Sequence, residues 1–285
     1  MDKMDYQKLM ALKGPVVERT YTNRDTMLYA LGLGVGADPM DTNELPFVYE
    51  KTIKTLPTMA TVVTWADVWI AEADVDLVKV VHGEQRMTLH RPLPAAASVI
   101  STMRIVEAYD KGADKGALIL IESATKLADT GEPLCTGVST VFARGDGGFG
   151  GKPGPAPEPH QLPDREPDAT CVRATLPQAA LIYRLSGDYN PLHADPDFAA
   201  AAGFPRPILH GLCTYGIAGF AVVETMLDHD ADQIANIDVR FSSPVFPGEN
   251  VTTDMWRDGD TISFRARVAE RDATVLQNGR VKLRS

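Results

Sequence analysis

Residues 183–193, YRLSGDYNPLH, set an apolar helical turn against a loop that holds an acid and an imidazole. Gly187 stands where the helix should stop, because glycine takes a left-handed backbone at low cost. Asp188, Asn190 and His193 then fall in a short loop braced by Pro191. Immediately downstream, DPDF opens another helix, with Asp195 as N-cap and Pro196 as first residue. A loop pinned between two helices can keep a carboxylate and an imidazole at fixed separation, as general acid–base catalysis requires. Taken singly, Asp188 is a turn former, Asn190-Pro191 is ordinary turn chemistry and His193 is a structural histidine. Their joint spacing is what points to chemistry.

Moving outward, the same plan recurs earlier in the chain. TLPQAALIYRLSGDYNPLHAD, from Thr175, lies under TNRDTMLYALGLGVGADPMD, from Thr22. Each opens on a Thr placed as an N-cap, with Asp25 or Gln178 three residues on, close to a capping box. A constant shift sets Gly34 under Asp188, Gly36 under Asn190, Pro39 under His193 and Arg86 under Arg240; a two-residue slip then matches Pro92 with Pro244. A duplication follows, with the acid and the imidazole missing from the first copy. In each half a longer apolar helix is expected next, over residues 57–73 and 211–228. Strand-like segments finish each half, at 80–89, 99–109, 118–127 and 135–143, then 234–242, 251–257, 261–269 and 274–283. A long helix followed by consecutive strands gives an α+β fold, the helix buried on a curved antiparallel sheet. Between the halves, residues 144–167 are dominated by Gly and Pro and predict an extended, exposed connection. The expected units are residues 1–143, the linker 144–167, and 168–285.

Bulk composition narrows the function. The 285 residues are 44% hydrophobic and 23% charged, enough for a sizeable core. A formal net charge of −10 without any basic run argues against a nucleic-acid partner. Cys135, Cys171 and Cys213 are isolated, so a reducing compartment is expected, and no segment reaches membrane-span length. The terminal KLRS does not match the peroxisomal SKL address, which leaves the cytoplasm by default. GLGVGA at residues 32–37 lacks a preceding strand and a full dinucleotide pattern. His193, Asp195 and Asp197 lack a second ligand cluster, and Asp195 is already explained as a helix cap, so no metal is expected.

Together, Y-x-L-S-G-D-x-N-P-L-H-x-D resembles the hydratase-2 signature of the MaoC-like dehydratase family, the R-specific enoyl-CoA hydratases. FPRPILHGLCTYG resembles that family's next block, and DTMLYALGLGVGA with ELPFVYE resembles the N-terminal half of its two-domain members. The resemblance implies a double hot-dog fold, catalytic residues in the C-terminal half, and an N-terminal half that houses the acyl chain. It also implies a homodimer. Asp188 and His193 would activate the water that adds to carbon 3 of a trans-2-enoyl thioester, giving an R-3-hydroxyacyl thioester, or the reverse. Asn190 would orient the pair or the water. Coenzyme A would enter as part of the substrate, with no separate cofactor.

Addition of water drives negative charge onto the thioester oxygen. Gly211 begins the apolar helix after His210, and its unpaired amide suits that oxyanion, a contribution of ~3 kcal/mol. Arg206, in the loop beside the active segment, is the preferred contact for coenzyme phosphates, ahead of Arg240 and Arg265; His210 is a further substrate-side candidate in a supporting role at most, since a helix-entry histidine also caps or packs. Two alternatives stand: a hot-dog acyl-CoA thioesterase, and a silent acyl-thioester-binding subunit.

Overall fold

The computed structural model describes residues 4–66, 69–154 and 156–284. Ten strands form one sheet, antiparallel throughout: β1 (Val16–Tyr21), β2 (Val80–Leu89), β3 (Ala97–Asp110), β4 (Ala117–Leu127), β5 (Pro133–Ala143), β6 (Ala169–Ala174), β7 (Ile234–Phe241), β8 (Asn250–Asp258), β9 (Thr261–Val268) and β10 (Ala273–Leu283). Their spatial order is β1-β3-β4-β5-β2-β7-β10-β9-β8-β6, so each half supplies five neighbours in the same sequence and β2 meets β7 at the centre. All eight expected strands are present. The two outermost, β1 and β6, lie just before Thr22 and Thr175; their short alternating patterns, VVERTY and ATCVRA, are the signal that the strand reading passed over.

The duplication is exact in register at the seam. Gln85 pairs with Val239, and these positions are 154 apart, the offset that also relates Gly34 to Asp188. Glu84↔Arg240 and Arg86↔Asp238 are exchanged by the same offset. A pseudo-twofold axis therefore passes between Gln85 and Val239, and each half is the other's continuation.

Helices do not obey that symmetry. The second-half helix, α7 (Gly211–Met226), is long and buried almost end to end. Its expected counterpart over 57–73 is broken into a 3₁₀ turn at Pro57–Met59, a single helical turn, α4 (Ala60–Val63), and a 3₁₀ stretch at Trp69–Ala73. Two causes act together. Five of the seven residues Thr58–Thr64 are β-branched, which weakens helix propensity. Arg19 on β1 also donates to the carbonyls of Val62 and Trp65, occupying acceptors that a continuing helix would use.

One core therefore serves both halves. It joins α7 to β7–β10 and to first-half residues including Tyr29, Leu33, Met59 and, on the short helix α3 (Leu45–Val48), Phe47. Gly216 and Gly219 allow this approach. A Cβ on Gly216 would lie 2.7 Å from Leu33, and one on Gly219 would lie 2.7 Å from Thr58. At both positions the nearest neighbour is a first-half residue. A smaller cluster sits under α1 (Tyr6–Ala11), with Leu9, Ile70, Ile105 and Ile119.

The first capped helix, α2 (Asn23–Gly32), has its expected cap: the Asp25 carboxylate accepts the backbone N–H and hydroxyl of Thr22, both at 2.8 Å. Thr175 is different. Its hydroxyl donates to the Glu249 carbonyl and accepts from Gly248 N–H, and helix α5 (Ala179–Tyr183) starts after Gln178. The linker lacks long regular structure, as Gly and Pro dictate, yet it is tied down. Asp110 accepts N–H bonds from Gly148 and Gly150, and Asn278 donates to the His160 carbonyl.

Candidate active site

Helix α5 continues as a 3₁₀ turn, Arg184–Ser186, and stops at Gly187 with φ 133°. Asn190 caps the next turn, Pro191–His193: its Oδ1 accepts Leu192 N–H at 3.0 Å. Its own N–H donates to Asp188 Oδ1 at 3.2 Å. Asn190 thus orients the acid through the backbone and shapes the turn carrying the imidazole. Asp195 caps α6 (Pro196–Ala201), accepting from Asp197 and Phe198 N–H, so neither it nor Asp197 joins the site.

His193 is buried, and its Nδ1 faces the Ile208 carbonyl at 2.8 Å. A carbonyl only accepts, so Nδ1 carries the proton and Nε2 keeps a lone pair. His210 lies against it, ring centroids 3.7 Å apart and planes within 25°. The Nε2 of His210 donates to the Asp188 carbonyl at 3.1 Å. A carboxylate oxygen of Asp188 and one ring nitrogen each of His193 and His210 lie within 4.8 Å of one another. That spacing invites comparison with a metal site. An imidazole lone pair lies in its ring plane, however, and two stacked rings cannot aim theirs at one centre ~2.1 Å from each.

The same spacing suits water. A water molecule donating to two acceptors at ~2.8 Å spans them when they are roughly 4.6 Å apart. Burial raises the Asp188 carboxyl, opposed by His193, the Asn190 N–H and Arg184; burial lowers the His193 imidazole. The two proton affinities are thereby drawn together, which eases proton exchange between water, acid and imidazole.

Gly211 opens α7, and His210 before it makes no side-chain cap. The first amides of the helix therefore stay available, with the positive end of the helix dipole behind them. The glycine itself answers to packing: a Cβ there would lie 3.2 Å from the Phe241 ring. On Phe241 rests His82 of β2, centroids 4.7 Å apart, so the first half reaches the head of α7. Sequence reading missed His82, since an isolated histidine in a strand carries no signature.

Burial lowers His82 to about 4. Its folded pKa lies below the ordinary ~6.5, so the unfolded chain binds the proton that the folded chain refuses. Its stabilising effect is complete above pH ~6.5 and is lost as pH falls toward about 4, worth roughly 3 kcal/mol in all. Thermal unfolding of His82→Phe at pH 7 and pH 5 should show a clearly smaller acid-induced drop in Tm than the parent; equal drops would refute this.

Two cavities flank the loop. One, ≈240 Å³, is walled by first-half residues including Tyr21, Leu28, Met59 and Val63, and closed by Leu185, Ser186 and Gly187 next to Asp188. The other, ≈200 Å³, contains His193, Ala194, Arg206 and Pro207. Arg206 is exposed and lies over the Phe246 ring at 4.9 Å. Arg265 is committed to Asp254 at 2.9 Å, and Arg240 sits exposed on β7, across from Glu84. His210 is only 1% exposed, with its Nε2 on the Asp188 carbonyl and its face on His193, so it stands behind the reacting groups.

The first-half counterpart of the loop has been filled. Gly34 and Gly36 take φ of 83° and 80°. Arg173 of β6 donates to the Gly34 carbonyl and to Glu44, while Glu44 accepts the Gly36 N–H. Arg173 also reaches Glu224 on α7 at 2.8 Å and lies over the Phe220 ring. An ion cluster thus braces the loop in which Gly34 is the counterpart of Asp188. Nothing in the local sequence connects these residues, which lie up to 180 positions apart.

Residues 158–278 match the family model described as MaoC like domain, and residues 20–145 match the MFE-2 hydratase 2 N-terminal domain. The chain is 42% identical to enoyl-CoA hydratase ChsH3 of Mycobacterium tuberculosis, covering 97% of each. It is 40% identical to the peroxisomal enoyl-CoA hydratase 2 of Arabidopsis thaliana, covering 94% of this chain and 92% of that one. A solved MaoC-like dehydratase from Phytophthora capsici superposes with a TM-score of 0.86 at 33% identity, covering 98% of both chains.

Proposed function

Because this chain belongs to the MaoC-like dehydratase family, in its two-domain hydratase 2 branch, we propose that Asp188 and His193 perform its acid–base chemistry. It is an enoyl-CoA hydratase, acting reversibly as a 3-hydroxyacyl-CoA dehydratase. The observation that supports the assignment is that a carboxylate oxygen of Asp188 and a ring nitrogen of His193 lie within 4.8 Å, a spacing one water can bridge, while the Ile208 contact leaves His193 Nε2 its lone pair.

In the hydration direction, that water gives up a proton to the pair while its oxygen bonds to carbon 3. The π electrons shift through carbon 2 onto the thioester oxygen, which the Gly211 N–H stabilises. The enolate then collapses and carbon 2 takes the proton back, so the net change is addition of one water. Metal and separate cofactor have no part in these steps.

The ≈240 Å³ cavity supports housing the acyl tail in residues 1–143, with 168–285 supplying the chemistry and 144–167 tying the two. Leu28→Trp should then lower kcat/KM for a long trans-2-enoyl-CoA by about tenfold or more and leave crotonyl-CoA almost unchanged, a loss of well-packed volume worth ~1.4 kcal/mol or more. Arg206 is our candidate for the coenzyme phosphates. Arg206→Ala should raise KM for the coenzyme A thioester several-fold while sparing the matching pantetheine thioester, compared by initial rates at low salt.

Among the described residues no helix is long and apolar enough to cross a membrane. The three unpaired cysteines support a reducing compartment, which we take as the cytoplasm. Open edges on β1 and β6, with Val16 and Val172 exposed, support a homodimer. The deciding assay mixes the protein with crotonyl-CoA and follows loss of the conjugated-thioester absorbance and release of thiol. Absorbance loss without thiol is expected; thiol release would establish a thioesterase, and binding without turnover a silent subunit.

A further inference from the structure

We propose that His210 is a positioning residue for this reaction, a neutral ring that fixes the backbone of Asp188 and the plane of His193 at once. The inference rests on the assignment of Asp188 and His193 above. His210 donates Nε2–H to the Asp188 carbonyl at 3.1 Å, and its face lies 3.7 Å from the face of His193. It is therefore the one described side chain that both hydrogen-bonds the acid's own backbone and stacks on the base.

Its own placement is over-determined. The Tyr183 ring packs 5.0 Å from it, and the Tyr29 ring packs 5.8 Å from Tyr183. Four rings thus run from His193 through His210 and Tyr183 to Tyr29, carrying the support from the loop into α2 of the first half. The half without catalytic residues thereby holds the catalytic pair in place.

The ring must also be singly protonated. Its Nδ1 is buried without a hydrogen-bond partner, so a proton there would have no acceptor, whereas Nε2–H has one. The titratable and charged groups around it are Asp188, His193, Arg184 and Tyr183. A second positive ring against His193 would discourage His193 from taking a proton from water. A neutral ring leaves that step open. With one nitrogen committed to a carbonyl and the other enclosed, His210 cannot itself exchange protons with a substrate.

Two substitutions separate the contributions: His210→Phe keeps a flat ring and removes the donor, while His210→Gln keeps an N–H near the Nε2 position. Displacing a catalytic group by ~1 Å costs on the order of 10²-fold in rate, so His210→Phe should lower kcat by about that factor with KM held. His210→Gln should recover part of the loss. A kcat that stays within about threefold of the parent, a change in KM alone, or Phe outperforming Gln would overturn the proposal. Nitrogen-15 NMR of the parent protein with labelled histidine gives an independent answer should either variant fail to fold. His210 should show the neutral Nε2–H form throughout pH 5–8; an Nδ1–H form or titration in that window overturns it. If Asp188→Asn keeps full activity, the assignment of the pair has failed; if that variant is inactive while His210→Phe is fully active, only the positioning role has.

Discussion

Asp188→Asn is expected to reduce kcat for hydration by about 10³- to 10⁴-fold while leaving KM within a few-fold, the scale of a lost general acid–base group. Asparagine preserves the shape of the side chain, and its carbonyl oxygen can still accept the Asn190 N–H that orients Asp188. What it loses is the capacity to hold water's proton. His193→Ala should cost a similar factor for a different reason, since it removes the one nitrogen whose lone pair the Ile208 contact leaves free. The double variant should be little worse than either single one, because the two groups act on the same water. Steady-state kinetics on crotonyl-CoA decide the matter. A loss confined to KM would make the pair a binding feature and send the search for acid–base groups elsewhere.

The other large effect is expected far from the reacting carbon. Arg173→Met leaves Glu44 enclosed without its cation, at a side-chain exposure of 6%. Removing one partner of a buried ion pair costs about 3–5 kcal/mol. At this chain length that should lower Tm by roughly 10 °C, measured by calorimetry at pH 7. Adding Glu44→Gln should restore part of the loss, because glutamine still accepts the Gly36 N–H and no longer buries a charge. If Arg173→Met melts like the parent, the cluster is not what holds the emptied loop against α7.

Much of this architecture was legible in the chain because it depends on local chemistry. The Asp25 cap, the glycine stop at 187 and the Asp195-Pro196 helix start each involve residues within a few positions of one another. Apolar runs marked eight strands for the same reason. The broken first-half helix was hidden because apolar periodicity outlines a buried face without reporting which groups take the backbone carbonyls; here Arg19 takes two of them. In the site, the loop residues stood together in sequence, whereas the Ile208 carbonyl, the His82–Phe241 contact and the Arg173 cluster arise from tertiary proximity. His210 shows the limit most clearly. Its place at the helix entry suggested capping, packing or at most a supporting role beside the substrate, and only the stacking of two rings shows which group it supports.

The seam at Gln85 and Val239 makes the molecule a dimer folded from one chain. In a dimer of identical subunits, any substitution strikes both sites together. Fusing the copies end to end removed that constraint, so one loop could give up its acid and imidazole while the other kept them. The fusion also ended the independence of the copies. With a single long helix left to fill the shared interior, the catalytic copy lacks a partner surface unless its silent twin is made on the same ribosome, in the same pass.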